Sequence, residues 1–168
     1  MPRHAAAFRR PFRIRPAHEE DLAPLIDLEN RVFTADRMSA RQWRHHLGSD
    51  SARVLVAVRS GRIIGAAVVF FHASHRIARL YSISVAPEAR GEGIGEALLA
   101  ASEQLARKRG ATAMRLEVRT DNRPAQRLYE RHGYGLFAVR FKYYEDGCDA
   151  KRYEKALSIP RRRASRAV

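Results

Sequence analysis

The chain has 168 residues, 45% of them hydrophobic, and a formal net charge of +14. This length predicts one domain with a sizeable core. No apolar run is long enough to cross a bilayer, and no signal-peptide segment follows the basic N-terminus, so we expect a cytoplasmic protein without a membrane partner.

The first half of the chain predicts a strand, two helices and a pair of strands. The predicted elements are strand 12–16, helix 19–33, helix 40–48 and strands 53–58 and 63–71. Apolar residues at near-helical spacing, with three acids in the first turn, indicate the first helix. Ser39 is typical of a helix N-cap and Gly48 of a helix end. The Ser60-Gly61 turn joins the two strands into a hairpin.

The second half alternates strands with helices. The predicted elements are strand 79–86, helix 93–109, strand 112–119, helix 123–132 and strands 134–144 and 151–157. Asn122 is typical of a helix N-cap. Alternation along 112–119 places Arg115, Glu117 and Arg119 on one face of a strand. This order predicts an α/β domain of three layers around a mixed sheet.

A glycine-rich loop, Arg90-Gly-Glu-Gly-Ile-Gly95, joins the strand 79–86 to the following helix. Its glycines allow backbone N–H groups to converge, and the helix N-terminus adds a positive dipole end, which is typical of a phosphate site. It lacks the Lys-Ser/Thr of nucleoside-triphosphate loops, because Gly95 is followed by Glu96 and Ala97. Its third glycine comes one position too early for the dinucleotide motif. A strand–helix turn without a ligand remains the alternative at this point.

Metal and disulfide chemistry are not indicated. Cys148 is the single cysteine, which excludes an internal disulfide and a thiolate metal cluster. The seven histidines are scattered without metal-ligand spacing. We therefore expect no bound metal.

Several motifs then follow one another in a characteristic order. They are Arg90-x-x-Gly93-x-Gly95, Leu116-Glu-Val-Arg119, Asn122 and Leu128-Tyr-Glu-Arg-His-Gly-Tyr134. With them the chain resembles the GNAT acetyltransferase superfamily over most of residues 12–157. Within it, the chain is most similar to the bacterial ribosomal-protein alanine N-acetyltransferases. The resemblance implies a GNAT fold, with a mostly antiparallel sheet splayed at strands 4 and 5, and direct acetyl transfer from acetyl-CoA to a protein N-terminal amine.

The resemblance also implies the acetyl-CoA site. The residues that it assigns to the cofactor are Ile83, Ser84, Val85, Arg90, Gly91, Glu92, Gly93, Ile94, Gly95, Glu96 and Asn122. In the family, backbone N–H groups of the loop bind the pyrophosphate. Free backbone groups of the splayed strand pair with the pantetheine amides.

Acetyl transfer to an amine needs a neutral amine and a proton for the departing thiolate. The resemblance implies Glu117 as the base and Tyr129 as the acid. An α-amine, with a reference pKa of about 8, needs only modest help from a base near neutral pH. Alternatively, Glu117 is a surface residue paired with Arg115 or Arg119, which would make it a poorer direct base. Tyr129 could equally be a core residue, although it shares a helix face with Asn122.

The acceptor is expected between residues 32–38 and 143–148, with Phe33, Tyr143 and Tyr144 as candidate substrate-binding residues. The similar branch carries Pro-Trp just after the Phe, where this chain has Thr-Ala-Asp, a departure that weakens the inference of alanine specificity. The expected partner is a protein or peptide N-terminus, a ribosomal protein among the possibilities. One alternative acceptor is a lysine side chain or a small-molecule amine. An alternative of another class is a non-catalytic basic module that binds ribosome or nucleic acid.

Much of the positive charge lies at the two ends. Residues 1–13 carry four arginines and residues 160–168 another four, with no acids in either segment. We therefore divide the chain into a basic extension, 1–11, an acetyltransferase domain, 12–158, and a basic, disordered tail, 159–168. Such tails suit loose binding to nucleic acid, and we expect a nucleic-acid partner only through them.

Overall fold

The computed structural model describes residues 11–158, so both predicted basic ends, apart from residue 11, lie outside the described residues. The helices are α1 (Leu22–Val32), α2 (Ala40–Gly48), α3 (Ile94–Lys108) and α4 (Arg123–Arg131). The strands are β1 (Arg13–Pro16), β2 (Ala52–Arg59), β3 (Arg62–Phe70), β4 (Ile77–Val85), β5 (Ala113–Arg119), β6 (Gly135–Arg140) and β7 (Ala150–Ala156). Their order agrees with the prediction. None of the helices in this part of the chain is long and apolar enough to cross a membrane.

The helix predicted at 19–33 begins later than expected. Its three acids, Glu19–Asp21, form a 3-10 turn, and α1 starts after them. Asp21 is buried against β1, where it accepts hydrogen bonds from Arg15 at 2.7 and 3.0 Å and from the His18 backbone N–H at 2.7 Å. The bonds from Arg15 lower the pKa of Asp21. This acid therefore fixes the helix start to the first strand.

The strand predicted at 134–144 is also too long, because β6 ends before the two tyrosines. Lys142 has a left-handed backbone, with φ of 49°. The N–H groups of Tyr143 and Tyr144 both donate to the carbonyl of Cys148 at 3.1 Å. Backbone groups that would extend the strand are thus used in a turn, and both tyrosines lie in the connection between β6 and β7.

The seven strands form one sheet in the order β1-β2-β3-β4-β5-β7-β6. β4 and β5 are parallel, and the other neighbouring pairs are antiparallel. The parallel pairing joins Ile77–Leu80 to Ala113–Leu116 and stops there, so residues 81–85 pair with β3 alone. Tyr81 forms a bulge against β3 at the same point. The sheet is therefore splayed at strands 4 and 5, as predicted.

The helices cover both faces of the sheet. His46 of α2 packs on Phe70 of β3, with ring centroids 4.9 Å apart. Gly65 of β3 instead approaches α3, because a Cβ there would lie 3.0 Å from Ile94. These two β3 positions are an odd number of residues apart and so face opposite sides. α1 packs beside α2 and α4 beside α3, which gives the three predicted layers.

Candidate active site

A cavity of about 610 Å³ opens where β4 and β5 separate. Its wall comes from the end of α1, the α1–α2 connection, β4, β5, the start of α4 and the β6–β7 connection. The predicted site residues in this wall are Phe33, Ile83, Glu117, Asn122, Tyr129, Tyr143 and Tyr144. Glu117 approaches from the α1 side of the sheet and Tyr129 from the α4 side. The gap between the strands therefore brings together candidates that the sequence placed on separate elements.

The backbone of β4 is open along this gap. Residues 81–85 bond to β3 on one edge and have no β5 partner on the other within the described sheet. Ile83 lines the cavity, and Ser84 is buried beside it. Backbone groups that point toward β5 are thus available to a ligand.

The glycine loop continues from the end of this open edge. Gly91 and Gly93 have φ of 75° and 80°, a left-handed conformation that non-glycine residues rarely adopt. Gly93 is the N-cap of α3, and the first helical bond runs from the Ala97 N–H to its carbonyl at 3.0 Å. The N–H groups of residues 94–96 therefore have no carbonyl partner within the helix. Ile94 buries its side chain in the core, so it offers only its backbone.

Two ion pairs neutralise Glu92 of the loop and Glu96, which follows the loop in the first turn of α3. Arg59, at the end of β2, hydrogen-bonds to Glu92, and Arg131 of α4 lies 3.2 Å from Glu96. Sequence reasoning missed Arg59, because nothing in the sequence places the β2–β3 turn beside the loop. With its carboxylates paired, the loop does not oppose an anion through its own charge.

Glu117 does not pair with Arg115 or Arg119, so the alternative that placed it in a pair with one of them is wrong. Its Oε2 accepts a hydrogen bond from Arg79 Nε at 3.0 Å. Its Oε1 lies 3.3 Å from Arg152 Nε, an ion pair without hydrogen-bond geometry. Arg115 pairs instead with Glu154 across the β5–β7 ladder. The partners come from adjacent strands because residues two apart on one strand are farther away than cross-strand neighbours.

Arg119, the other expected partner of Glu117, contacts three different acids. They are Asp36, Asp121 and Asp146, at 3.5, 3.0 and 2.6 Å. Hydrogen bonds to Asp146 and Asp121 raise the pKa of Arg119. This residue joins three segments that line the cavity.

Tyr129 is both a core residue and a cavity residue. Its side chain is 8% exposed, and its ring packs edge-on against Tyr134 with centroids 5.7 Å apart. Burial raises the pKa of Tyr129 to about 12. Asn122 at the start of the same helix is the predicted N-cap, since its Oδ1 accepts from the Ala125 N–H at 3.2 Å. Packing in the core and a position at the cavity are therefore compatible for Tyr129.

The two segments expected at the acceptor side meet across the cavity. Asp36, in the α1–α2 connection, accepts a hydrogen bond from the Glu145 backbone N–H at 3.2 Å. Tyr143 accepts a hydrogen bond from Arg79 at 2.7 Å. The Arg119 guanidinium lies 4.9 Å from the ring centre of Tyr144, whose pKa burial raises.

Glu29, Arg79 and Tyr81 are among the cavity residues that were missed at the sequence level. Arg79 and Tyr81 alternate with the apolar residues of β4, and this alternation was the available signal. Glu29 sits on a helix among apolar residues and is 3% exposed. Its place four residues after Leu25 and seven after Leu22 puts it on the apolar face of the helix, and this spacing was the available signal. No group of three or more His, Cys, Asp or Glu side chains among residues 11–158 is arranged to hold a metal.

Comparisons with known proteins show the family to which this fold belongs. The acetyltransferase (GNAT) family model matches residues 21–134. A Bacillus subtilis (strain 168) protein, provisionally named a ribosomal protein bS18-alanine N-acetyltransferase, is 29% identical over 133 residues, which are 79% of this chain and 87% of that protein. N-alpha-acetyltransferase 30 of Schizosaccharomyces pombe is 36% identical over 102 residues, or 58% of this chain and 67% of that one.

A solved structure shows the same fold. The ribosomal-protein-S18-alanine N-acetyltransferase from Escherichia coli superposes with a TM-score of 0.80 and 26% identity, over 88% of this chain and 95% of that one. The family match covers well over half of the chain. The protein therefore belongs to the acetyltransferase (GNAT) family and is an acyltransferase.

Proposed function

We propose that the protein transfers the acetyl group of acetyl-CoA directly to the α-amine of a protein N-terminus. The observation that carries this proposal is the cavity in the β4–β5 gap, with Glu117 and Tyr129 in its wall on opposite faces of the sheet. Two reactants held in one such gap react as if at high local concentration. The names of the relatives described above add support, since they refer to alanine or N-alpha acetyltransferases.

The donor fits the open edge of β4 and the glycine loop. A pantetheine arm carries amides that would pair with the unpaired backbone groups of residues 81–85. A pyrophosphate would accept from the N–H groups of residues 94–96 at the positive end of α3. Arg90, the first residue of the loop, adds a positive charge. Acetyl-CoA supplies an activated carbonyl carbon at the gap.

The reaction moves two protons. The amine nitrogen forms a bond to the thioester carbonyl carbon, the carbon–sulfur bond breaks, and the nitrogen loses a proton while the sulfur gains one. Tyr129 holds the proton for sulfur, because its pKa of about 12 keeps its hydroxyl protonated at neutral pH. A backbone N–H of residues 83–85 donates to the carbonyl oxygen.

Glu117 receives the proton of the amine through a water molecule. Both of its carboxylate oxygens already face guanidinium groups, those of Arg79 and Arg152, so direct contact with the amine is hindered. An α-amine, with a reference pKa of about 8, loses its proton more easily than a lysine amine at about 10.4. A base held in this way therefore favours α-amines.

An acetylation assay on peptides tests the proposal. The protein is incubated with acetyl-CoA and a set of peptides that differ in their first residues and contain an internal lysine, and the modified nitrogen is mapped by mass spectrometry. We expect the acetyl group on the α-nitrogen. Matched peptides with a blocked N-terminus should stay unmodified.

Other results would select the alternatives. If the acetyl group is found on the lysine nitrogen, or only on small amines, the acceptor is that amine and not the α-amine. Calorimetry with acetyl-CoA provides the second criterion. Absence of acetyl-CoA binding together with salt-sensitive RNA binding would identify a non-catalytic module.

A further inference from the structure

Glu29 has a buried side chain in the wall of the cavity. It has no role in the proposed reaction, and the fold uses only one of its two carboxyl oxygens. It lies near the end of α1 and is 3% exposed. Its Oε1 accepts a hydrogen bond from the Met38 N–H at 2.8 Å, which holds the α1–α2 connection. Its Oε2 is buried without a hydrogen-bond partner among residues 11–158.

The bond to Met38 does not explain why this residue is an acid. A glutamine carbonyl would accept the same hydrogen bond at the same place. Burying a carboxylate with one oxygen unpaired is costly, and burial raises the pKa of Glu29 accordingly. A glutamine at this position would therefore serve the fold equally well, so the acid calls for another explanation.

The nearby arginines are engaged elsewhere. Arg79 donates to Glu117 and to the Tyr143 hydroxyl, and Arg119 contacts its three aspartates. Arg37 donates to the backbone carbonyls of Phe33 and Asn30. Its charge lowers the pKa of Glu29, but by less than burial raises it. The described residues thus leave Oε2 without a hydrogen-bonded cation of the protein.

We propose that Glu29 anchors the ammonium group of the acceptor, with Oε2 accepting one of its N–H bonds as the amine enters the cavity. The inference rests on the proposed function, because it assumes that a primary amine is the acceptor. At neutral pH the protonated form of an α-amine predominates, so this is the form that arrives, and it releases one proton to solvent water before the neutral nitrogen attacks. A charge-assisted bond from it satisfies the buried oxygen.

The same contact separates substrate from product. Acetylation converts the ammonium group into a neutral amide, which removes the charge and leaves a single N–H donor. The attraction to Glu29 then disappears, and the acetylated N-terminus is released. Glu29 in this role binds and positions the acceptor, whereas proton transfer remains with Glu117 and Tyr129.

Binding of two peptides to wild type and to Glu29→Gln tests the inference. The probes are an alanine-initiated peptide with a free α-amine and the same peptide with an acetylated N-terminus, measured by calorimetry. In Glu29→Gln we expect the affinity for the free-amine peptide to fall by about tenfold to a hundredfold. The affinity for the acetylated peptide should not change, and neither should the KM for acetyl-CoA.

The matched control is Glu20→Gln, which removes the same charge from an exposed residue of the 3-10 turn before α1. It should bind both peptides like the wild type. Equal losses for both peptides in Glu29→Gln would show a purely structural role and overturn the inference, as would unchanged binding of the free-amine peptide.

A third result does not depend on the variant being folded. Wild-type protein that binds the acetylated peptide as tightly as the free-amine peptide would also contradict the anchor. The proposed function fails separately, if the wild type transfers no acetyl group to the α-amine when acetyl-CoA is present.

Discussion

Glu117 and Tyr129 meet at one cavity in opposite electrostatic surroundings. The carboxylate of Glu117 contacts two guanidinium groups, from Arg79 and Arg152. The hydroxyl of Tyr129 is buried, which raises its pKa to about 12. One residue is therefore surrounded by positive charge and the other by an environment that disfavours charge. In the proposed reaction Glu117 accepts a proton and Tyr129 donates one.

Replacing Tyr129 with phenylalanine should lower kcat on the order of 100-fold or more, because the thiolate then leaves without a proton donor. The affinity for acetyl-CoA should change little, since the ring and its contact with Tyr134 remain. Steady-state kinetics and calorimetry measure the two effects. The control is Tyr153→Phe, which removes a hydroxyl that lies outside the cavity and donates to Glu130 at 2.8 Å. A Tyr129→Phe enzyme with wild-type kcat would refute the assignment.

Replacing Glu117 with glutamine should lower kcat by about tenfold to a hundredfold while the KM for acetyl-CoA stays near the wild-type value. The amide keeps the size of the side chain but cannot take a proton. Glu154→Gln is the matched control, because Glu154 also pairs with an arginine on the neighbouring strand of the same sheet. Similar losses in both variants would mean that only the arginine network was disturbed.

At the scale of elements, the candidate active site depends on where the pairing of β4 with β5 stops. Alternation and capping residues predicted the order of the elements, because both signals are local. They did not reveal the partners of Glu117, since those arginines are neighbours across the sheet rather than along the strand. The tyrosines at 143 and 144 looked like strand residues, yet the left-handed Lys142 directs them into a turn. The splay of β4 and β5 was predicted from the family resemblance and not from local sequence signals.

Gly65 determines how closely α3 approaches the sheet. A Cβ at this position would lie 3.0 Å from Ile94, 3.1 Å from Leu98 and 3.1 Å from the Ser84 carbonyl oxygen. We expect Gly65→Ala to lower the free energy of unfolding by about 1–3 kcal/mol, as overpacking does. The KM for acetyl-CoA should rise, because Ile94 is the first residue of α3 and moves with the helix start.

Urea unfolding and steady-state kinetics measure both effects of Gly65→Ala. Gly48→Ala is the control, since a Cβ at Gly48 has no atom within 4 Å. Its free energy of unfolding should stay within about 0.5 kcal/mol of the wild type. A Gly65→Ala protein that is equally stable and has the same KM would show that α3 is not held by this contact.

The whole molecule is basic, but its cavity is not. The full chain carries a net charge of +14, whereas the cavity wall holds more acids than bases. The acids are Glu29, Asp36, Glu117, Asp121 and Asp146, and the bases are Arg79 and Arg119. An anionic donor is therefore attracted by the field of the whole protein, whereas a cationic amine is attracted only within the cavity. Salt should weaken the capture of acetyl-CoA more than the binding of a buried amine.

Buried tyrosines should make the folded protein sensitive to alkali. Burial raises the pKa of Tyr129 and of Tyr153 to about 12, and it also raises the pKa values of Tyr81, Tyr134 and Tyr144. Unfolded tyrosine titrates near pH 10, so above that pH the unfolded chain holds fewer protons than the native protein. The stabilisation is therefore complete below about pH 10 and is lost as the pH rises toward about 12.

The size of this effect can be assigned to a single residue. For Tyr129 the free energy of unfolding should fall by about 1.4 kcal/mol for each pH unit within that window. Urea unfolding of the wild type and of Tyr129→Phe at a series of pH values isolates this contribution, because the lysines and other tyrosines titrate alike in both proteins. The variant should lose stability less steeply above about pH 10. Parallel pH profiles would mean that the Tyr129 hydroxyl ionises in the folded protein as readily as in the unfolded chain. The fold would then do nothing to keep the Tyr129 hydroxyl protonated, which would weaken its assignment as the proton donor for the leaving thiolate.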